Sequence, residues 1–286
     1  MMPGVKHFLK LLSPKHQKLI LDYRVEFRPR FGHGKPAHPG LYSVIDANRE
    51  AYRKMLNDCD EFRESFLSIK DASVEKDETR PSWNNSFLPG LDIVALYSMI
   101  RMKKPERYIE IGSGNSTKVA FKAIREGKLP TVITSIDPYP RASIDSLSNK
   151  VLRIPVETMK DLSLFEELGT GDILFIDNSH RVLPNSDATV CFLEIIPLLK
   201  KGVIVHIHDI YLPYDYPQFM CDRFYSEQYV LAAMILANPE RYRSLLPNYF
   251  ISEDPELSKI LSELWNSPAL QGVERHGGSF WMEIGE

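Results

Sequence analysis

The chain has 286 residues, 43% hydrophobic and 26% charged, with a formal net charge of -3. That is enough chain for a sizeable core in an ordinary globular protein, and the near-balanced charge gives no polyanion-binding footprint, which argues against nucleic acid as a partner. The three cysteines, Cys59, Cys191 and Cys221, form no CxxC pair and no metal-ligand spacing, so reduced thiols and a cytoplasmic setting are expected.

The opening segment, MMPGVKHFLKLLSPKHQKLIL, has no apolar run of signal-peptide length, and its lysine-bearing amphipathic pattern reads as a packed surface helix. No stretch approaches about 18 consecutive apolar residues, so no membrane-spanning helix is expected. FRPRFGHGKPAHPG, Phe27 to Gly40, is rich in Pro, Gly and His and reads as a loop, whereas residues 46–69 carry helical spacing. Residues 1–80 are expected to form a partly helical N-terminal extension that contributes to the substrate site, and residues 81–286 a single α/β domain.

In that domain LPGLDIVALYSMIRMKKP predicts a helix from near Pro89 to Pro105. Strands and helices then alternate. RYIEIG, TVITSID, VLRIPV, DILFID and VIVHIHD read as short buried strands, with helices at STKVAFKAIREGK, MKDLSLFEEL and SDATVCFLEIIPLLKKG. This alternation predicts a doubly wound, Rossmann-like parallel sheet with helices on both faces. Towards the end of the chain EQYVLAAMILAN and DPELSKILSELWNS read as helices. SLLPNYFI and GSFWMEI read as two strands that close one sheet edge as an antiparallel pair.

The turn after the first of these strands, Gly112-Ser113-Gly114-Asn115-Ser116-Thr117, is the first site candidate. A phosphate loop needs Lys then Ser or Thr after its second glycine, and Lys118 stands in the wrong order and spacing. A dinucleotide fingerprint needs a third small residue where β-branched Thr117 stands. Glu110, two residues before the glycines, repels a pyrophosphate and suits a cationic ligand. Asp137, at the end of the next strand, is placed to bind a ribose diol. Ribose, positive charge and no phosphate together describe S-adenosylmethionine.

The EIGSGNST segment, Glu110 to Thr117, with Asp137 and the strand DILFID, resembles the class I S-adenosylmethionine-dependent methyltransferases over roughly residues 85–285. It is most similar to a small-molecule group often found with sugar and natural-product pathways. The resemblance implies a seven-stranded sheet with its last strand antiparallel. It implies that Gly112 and Gly114 admit the cofactor, that Asp137 holds its ribose and that Glu110 lies near its methionine end. Ser113, Ser116, Thr117 and Asp177 complete the expected cofactor-side set.

Two further strand ends are crowded with polar groups: Asp177, Asn178, Ser179 and His180 after DILFI, and His206, His208 and Asp209 in VHIHD. In open parallel sheets ligands lie beyond the carboxyl ends of the strands. Some O-methyltransferases bind magnesium with acids at these two ends and take a base from a D-x-x-H arrangement. Asp177 and His180 are similar to that arrangement, and Asp209 matches the second acid. His208 stands where the family usually has Glu, and an imidazole moves preference from magnesium towards a transition metal. Asp177, His208 and Asp209 are therefore the candidate metal ligands, with His180 as general base and Asp177 and Asp209 beside it; whether a divalent ion is used is left open. His206, deeper in its strand, reads as a hydrogen-bonded core histidine, and Asp187 as an N-cap. Trp83, Asn84 and Asn85 are candidates for closing over a ligand, Tyr211 to Phe219 for stacking on the acceptor, and Met159 for lying near adenine, with packing the default for each.

The expected function is thus O-methylation of a small molecule such as a sugar or glycosylated metabolite. The alternatives are an NAD-dependent Rossmann oxidoreductase, which lacks a Tyr-x-x-x-Lys pair here, and a non-catalytic adenosyl-ligand binding protein. A homo-oligomer is left open.

Overall fold

The computed structural model describes residues 19–140 and 142–286, and the amphipathic start of the chain lies outside them. A two-residue parallel ribbon, β1 (Lys70–Asp71) with β2 (Ser82–Trp83), precedes the main domain. The main sheet contains β3 (Arg107–Ile111), β4 (Val132–Ile136), β5 (Lys150–Leu152), β6 (Ile173–Ile176), β7 (Ile204–Ile207), β8 (Tyr242–Pro247) and β9 (Phe280–Ile284). Their order is β5-β4-β3-β6-β7-β9-β8. The first five strands in sequence are mutually parallel, and β9 inserts antiparallel between β7 and β8. The expected Rossmann-like sheet of seven strands is therefore present.

Both faces of this sheet are covered, so its central strands need apolar residues on both sides. Ile173–Ile176 and Ile204–Ile207 are buried at every position, including His206. The helix Gly90–Lys103 is buried continuously from Gly90 to Ile100, because the sheet packs on one side and the extension on the other. Asn115–Gly127 buries only one face.

The register positions the functional groups. Ile111 pairs with both Ile136 and Ile176, and Ile176 pairs with Ile207. Four strands thus end in line, and the next residues, Gly112, Asp137, Asp177 and His208, stand side by side along one sheet edge. From β3 the chain winds one way through β4 and β5, then returns to add β6 and β7 on the other side. The switch point lies between β3 and β6, where such sheets open a crevice for a ligand.

Some local readings are corrected. NYFI, expected to continue β8, is the start of the helix Asn248–Glu253: the strand stops at Pro247, which has no N–H for a ladder bond. DPELSKILSELWNS is two short pieces, Leu257–Lys259 and Ser262–Trp265. The helix expected from Asp187 contains a π turn, Cys191–Ile195, just before Pro197, whose missing N–H breaks the ordinary i→i−4 ladder.

Residues 19–80 include the helices Pro39–Asp46 and Arg49–Cys59, which pack against the β8 side of the sheet. Tyr52, fully buried, donates its hydroxyl to the Ile45 carbonyl at 2.7 Å and approaches Ser244 Oγ at 2.8 Å. Arg49 forks onto both oxygens of Asp254. Arg30 and Phe31 donate their backbone N–H groups to Asp215, which fixes the Tyr-rich loop after β7. Among the described residues none before Ser86 lines either cleft described below. The described part of the extension, residues 19–80, supports that loop and lines neither cleft.

Candidate active site

Beyond the strand ends lie two clefts. The first, about 320 Å³, runs along Gly112–Ser116 and includes Asp137, Tyr139, Phe87 and Leu88. Gly112 makes this turn possible. Its φ is +83°, and a Cβ there would lie 2.0 Å from the Asp177 carbonyl oxygen. Only glycine lets β3 and β6 come this close. Gly114 is different: a Cβ built on it meets no protein atom within 4 Å, so the space beside its backbone is open cleft.

Asp137 is held by one backbone donor on each oxygen, Ser113 N at 2.9 Å and Tyr139 N at 2.8 Å. A carboxylate has about four acceptor sites, so two stay available towards the cleft.

Glu110 and Thr117 do not line this cleft, against the expectation that both touch the cofactor. Both are fully buried. Glu110 accepts from Thr117 Oγ1 at 2.6 Å, Ser135 Oγ at 2.5 Å and Ser116 Oγ at 3.3 Å. It braces the turn from beneath, and its proximity to the glycines in sequence hid that it points away from the ligand side. Burial lifts its carboxyl to about 7, against the hydroxyls that pull it down. The folded chain therefore holds this proton more tightly than the unfolded chain does. Its contribution to stability falls as pH rises from the ordinary carboxyl range through about 7, then levels off. Between pH 5 and 8 the wild type should lose about 1–3 kcal/mol relative to Glu110→Gln in urea unfolding. Parallel pH slopes for the two proteins would contradict this.

The second cleft, about 820 Å³, shares Phe87, Asp177, Asn178 and His180 with the first and extends past His208, Asp209, Tyr211, Phe219 and Tyr225. Where the clefts meet, the strand ends of β6 and β7 come together. His180 Nε2 lies 3.5 Å from Asp177 Oδ1 and 3.4 Å from Asp209 Oδ2. His208 Nδ1 lies 3.7 Å from Asp177 Oδ1 and 3.6 Å from Asp209 Oδ1. Backbone at φ 64° for His180 and 53° for Asp209 turns these side chains into the junction.

Each imidazole has a buried carboxylate behind it, and neither was apparent in the sequence. Glu227 Oε1 sits 2.7 Å from His180 Nδ1, so that nitrogen donates and Nε2 is left facing the cleft. Asp92 Oδ2 lies 3.5 Å from His208 Nε2. Asp92 is itself fixed by Asn248 Nδ2 at 2.7 Å, Ser279 Oγ at 2.8 Å and the Gly278 N–H at 2.8 Å. Both acids open helices in the sequence, where an acid in the first turn needs no other explanation.

Four carboxylates around two imidazoles require positive charge. Burial alone pulls the His180 pKa down, but Glu227, Asp177 and Asp209 outweigh it and raise it. At His208 burial again opposes, and Asp209, Asp92 and Asp177 lift the ring to about 10. A cation can supply the same charge. Among the described residues, one donor atom each from Asp177, His180 and Asp209 lies within 4.8 Å of the others. The rear carboxylate on each histidine is the usual outer partner of a metal-ligating imidazole. The residues thus fit a divalent ion. The grouping includes His180, expected as the base, while His208 of the expected ligand set stands just behind the two acids.

The remaining candidates are mostly structural. His206 is a core residue, but both ring nitrogens lack hydrogen-bond partners; it stacks on Trp281 at 3.8 Å, and burial pushes its pKa well down. Asp187 is not the N-cap: Ser186 caps the helix, and Asp187 accepts from Ser179 N at 2.8 Å, clamping the turn that carries His180. Trp83 is buried edge-on to Trp265. Asn84 and Asn85 bond loop backbone, and the neighbouring Phe87 reaches both clefts. Met159 packs on the core, outside both clefts. Of the Tyr-rich loop, Tyr211 and Phe219 line the second cleft, while Tyr216 is fully buried.

The sheet reverses its winding beside a glycine turn, with a polar cluster at the next two strand ends, which is where open α/β sheets offer a ligand crevice. Residues 109–210 match a family model described as a methyltransferase domain. The matched segment contains the glycine turn, Asp137 and the Asp177, His180 and Asp209 cluster. No curated protein matches the chain. Among solved structures it is similar to an S-adenosylhomocysteine-bound methyltransferase from Podospora anserina, with 17% identity over 80% of this chain and 88% of that one, and a TM-score of 0.43. It is also similar to the MycE methyltransferase of the mycinamycin biosynthetic pathway in complex with Mg and S-adenosylhomocysteine, with 15% identity over 66% of this chain and 48% of that one, and a TM-score of 0.40. A putative O-methyltransferase from Klebsiella pneumoniae matches at 13% identity over 88% of this chain and 92% of that one, with a TM-score of 0.38. Among the described residues no helix is long and apolar enough to cross a membrane.

Proposed function

We propose that the protein moves a methyl group from S-adenosylmethionine in the first cleft to an oxygen of a small molecule, such as a sugar or glycosylated metabolite, in the second. The observation that carries this reading is that the two clefts meet at Asp177, Asn178 and His180, where a donor methyl and an acceptor hydroxyl would face each other. A pyrophosphate on the glycine turn would face the Asp177 carboxylate, so the dinucleotide alternative is not favoured.

The sulfonium already activates the methyl group, so the protein must align the acceptor oxygen and take its proton. Asp137 binds the ribose diol through its two remaining acceptor sites. His180, its ring fixed by Glu227, presents Nε2 to the acceptor hydroxyl. Asp177 and Asp209, with His208, would hold a divalent ion and leave His180 Nε2 free, and the ion when bound would supply a Lewis acid that lowers the hydroxyl pKa. Imidazole in that donor set suits a transition metal at least as well as magnesium.

Asp137→Ala should weaken S-adenosylmethionine binding by about 1.5–3 kcal/mol, the loss of two charge-assisted hydrogen bonds. Calorimetric titration measures it; unchanged affinity would mean that the ribose is held elsewhere.

A further inference from the structure

We propose that the second cleft carries an anion-binding arm made of Arg181 and Arg223, so that the methyl acceptor is a hydroxylated molecule bearing a carboxylate or phosphate. The proposal rests on the preceding reading that this cleft receives the acceptor.

Both arginines line the cleft. Arg181 is fixed from behind: its Nε donates to the Arg223 carbonyl at 2.8 Å and its Nη1 to the Ser179 carbonyl at 2.9 Å. These acceptors are neutral and leave the guanidinium charge uncompensated. Arg223 lies over the Tyr225 ring at 4.7 Å, and Arg181 over the same ring at 5.5 Å. Among the described residues neither arginine forms an ion pair with a carboxylate. Two cations held against one ring repel each other, and an anion shared between them removes that repulsion. Guanidinium groups suit this task, because their planar donor fork matches carboxylate and phosphate oxygens.

The distance to the reaction junction sets the shape of the ligand. Tyr225 also stacks on His180, with ring centroids 4.5 Å apart. The Tyr225 ring therefore touches both the junction and the arginine pair, with the His180 ring 4.5 Å and the Arg223 guanidinium 4.7 Å from its centroid. A six-membered ring with a hydroxyl on one side and an anion on the other spans that interval. The junction is rich in carboxylate and repels an anion, whereas the arginines attract one. The acceptor is thus oriented hydroxyl inward and anion outward, a use of charge that favours one binding direction over its reverse. Tyr211 and Phe219, on the same cleft wall, offer apolar faces to the ring body.

The test is calorimetric titration of the full chain, loaded with S-adenosylhomocysteine, with three probes: 4-hydroxybenzoate, 4-hydroxyphenyl phosphate and the neutral methyl 4-hydroxybenzoate. At least one anionic probe should bind about tenfold or more tightly than the ester, as a charge-assisted contact gives. Comparing the two anions shows whether carboxylate or phosphate is preferred. R181Q/R223Q should erase the preference and leave S-adenosylhomocysteine affinity unchanged. R223Q alone, at an exposed position, should already reduce it. Equal affinity for all three probes, no binding of either anion, or a preference that survives R181Q/R223Q overturns the proposal. A probe that binds with the expected preference but is not methylated when S-adenosylmethionine replaces S-adenosylhomocysteine counts against the methyl-transfer reading of the cleft and not against the arm.

Discussion

His180→Ala should lower turnover by about 10²–10⁴-fold, the usual contribution of a positioned general base, while S-adenosylmethionine affinity barely changes. The argument is geometric. His180 Nε2 stands between Asp177 and Asp209 where the two clefts join, and its other nitrogen is committed to Glu227. Because its φ is 64°, which asparagine tolerates well, His180→Asn should reproduce the loss without backbone strain. Glu227→Gln keeps the shape but weakens the orientation of the ring, and should cost about 10–100-fold. If a metal is used, Asp177→Asn and Asp209→Asn should each abolish stimulation by added divalent ions, and a chelator should silence the wild type. Full activity in chelator would remove the metal and leave His180 as the sole base. Single-turnover rates with each variant separate these cases. Wild-type turnover in both His180 variants would contradict the assignment.

The largest stability effect is expected at Gly112. Alanine there would need a φ of +83° and would drive its Cβ to 2.0 Å from the Asp177 carbonyl oxygen. Backbone cannot yield as a flexible side-chain tip can, so β3 and β6 must separate at their ends. The expected loss is about 3 kcal/mol or more, at the upper end for single substitutions. Donor binding should fail with it, because Ser113 N and Asp137 lose their mutual placement. Gly114→Ala is the control: with no atom within 4 Å of its Cβ, it should leave urea unfolding nearly unchanged and weaken only donor binding. Equal stability of wild type and Gly112→Ala would show that the close approach of the strands is not required.

The contrast between these two glycines illustrates what the sequence could disclose. The alternation of strand and helix made the sheet legible, because buried parallel strands demand continuous apolar runs such as ILFI and IVHI. The polar residues following those runs were legible as site candidates, since strand ends in such a sheet face one edge. Glu110 was misread because a carboxylate at period two cannot be told from one aimed at a ligand until the hydroxyls beneath it are located. Glu227 and Asp92 were missed because each lies far in sequence from the histidine that it meets and opens a helix, where acids are unremarkable. The arginines of the second cleft were missed for a related reason: Arg181 and Arg223 come together only because the turn after β6 packs on the loop before the helix Glu227–Ala237. Pro247 and Pro197 were visible in the sequence, yet their local consequences, a terminated strand and a π turn, depend on which backbone partners were being sought.

A structure of the protein with S-adenosylhomocysteine bound tests the central claim most directly. The account predicts the adenosyl group along Gly112–Ser116, the ribose hydroxyls on Asp137, and the sulfur directed at the junction of Asp177, His180 and Asp209. A ribose bound away from Asp137, or a sulfur more than about 10 Å from the His180 ring with no loop able to close the gap, would contradict it, because a base must reach the reacting proton directly or through one water.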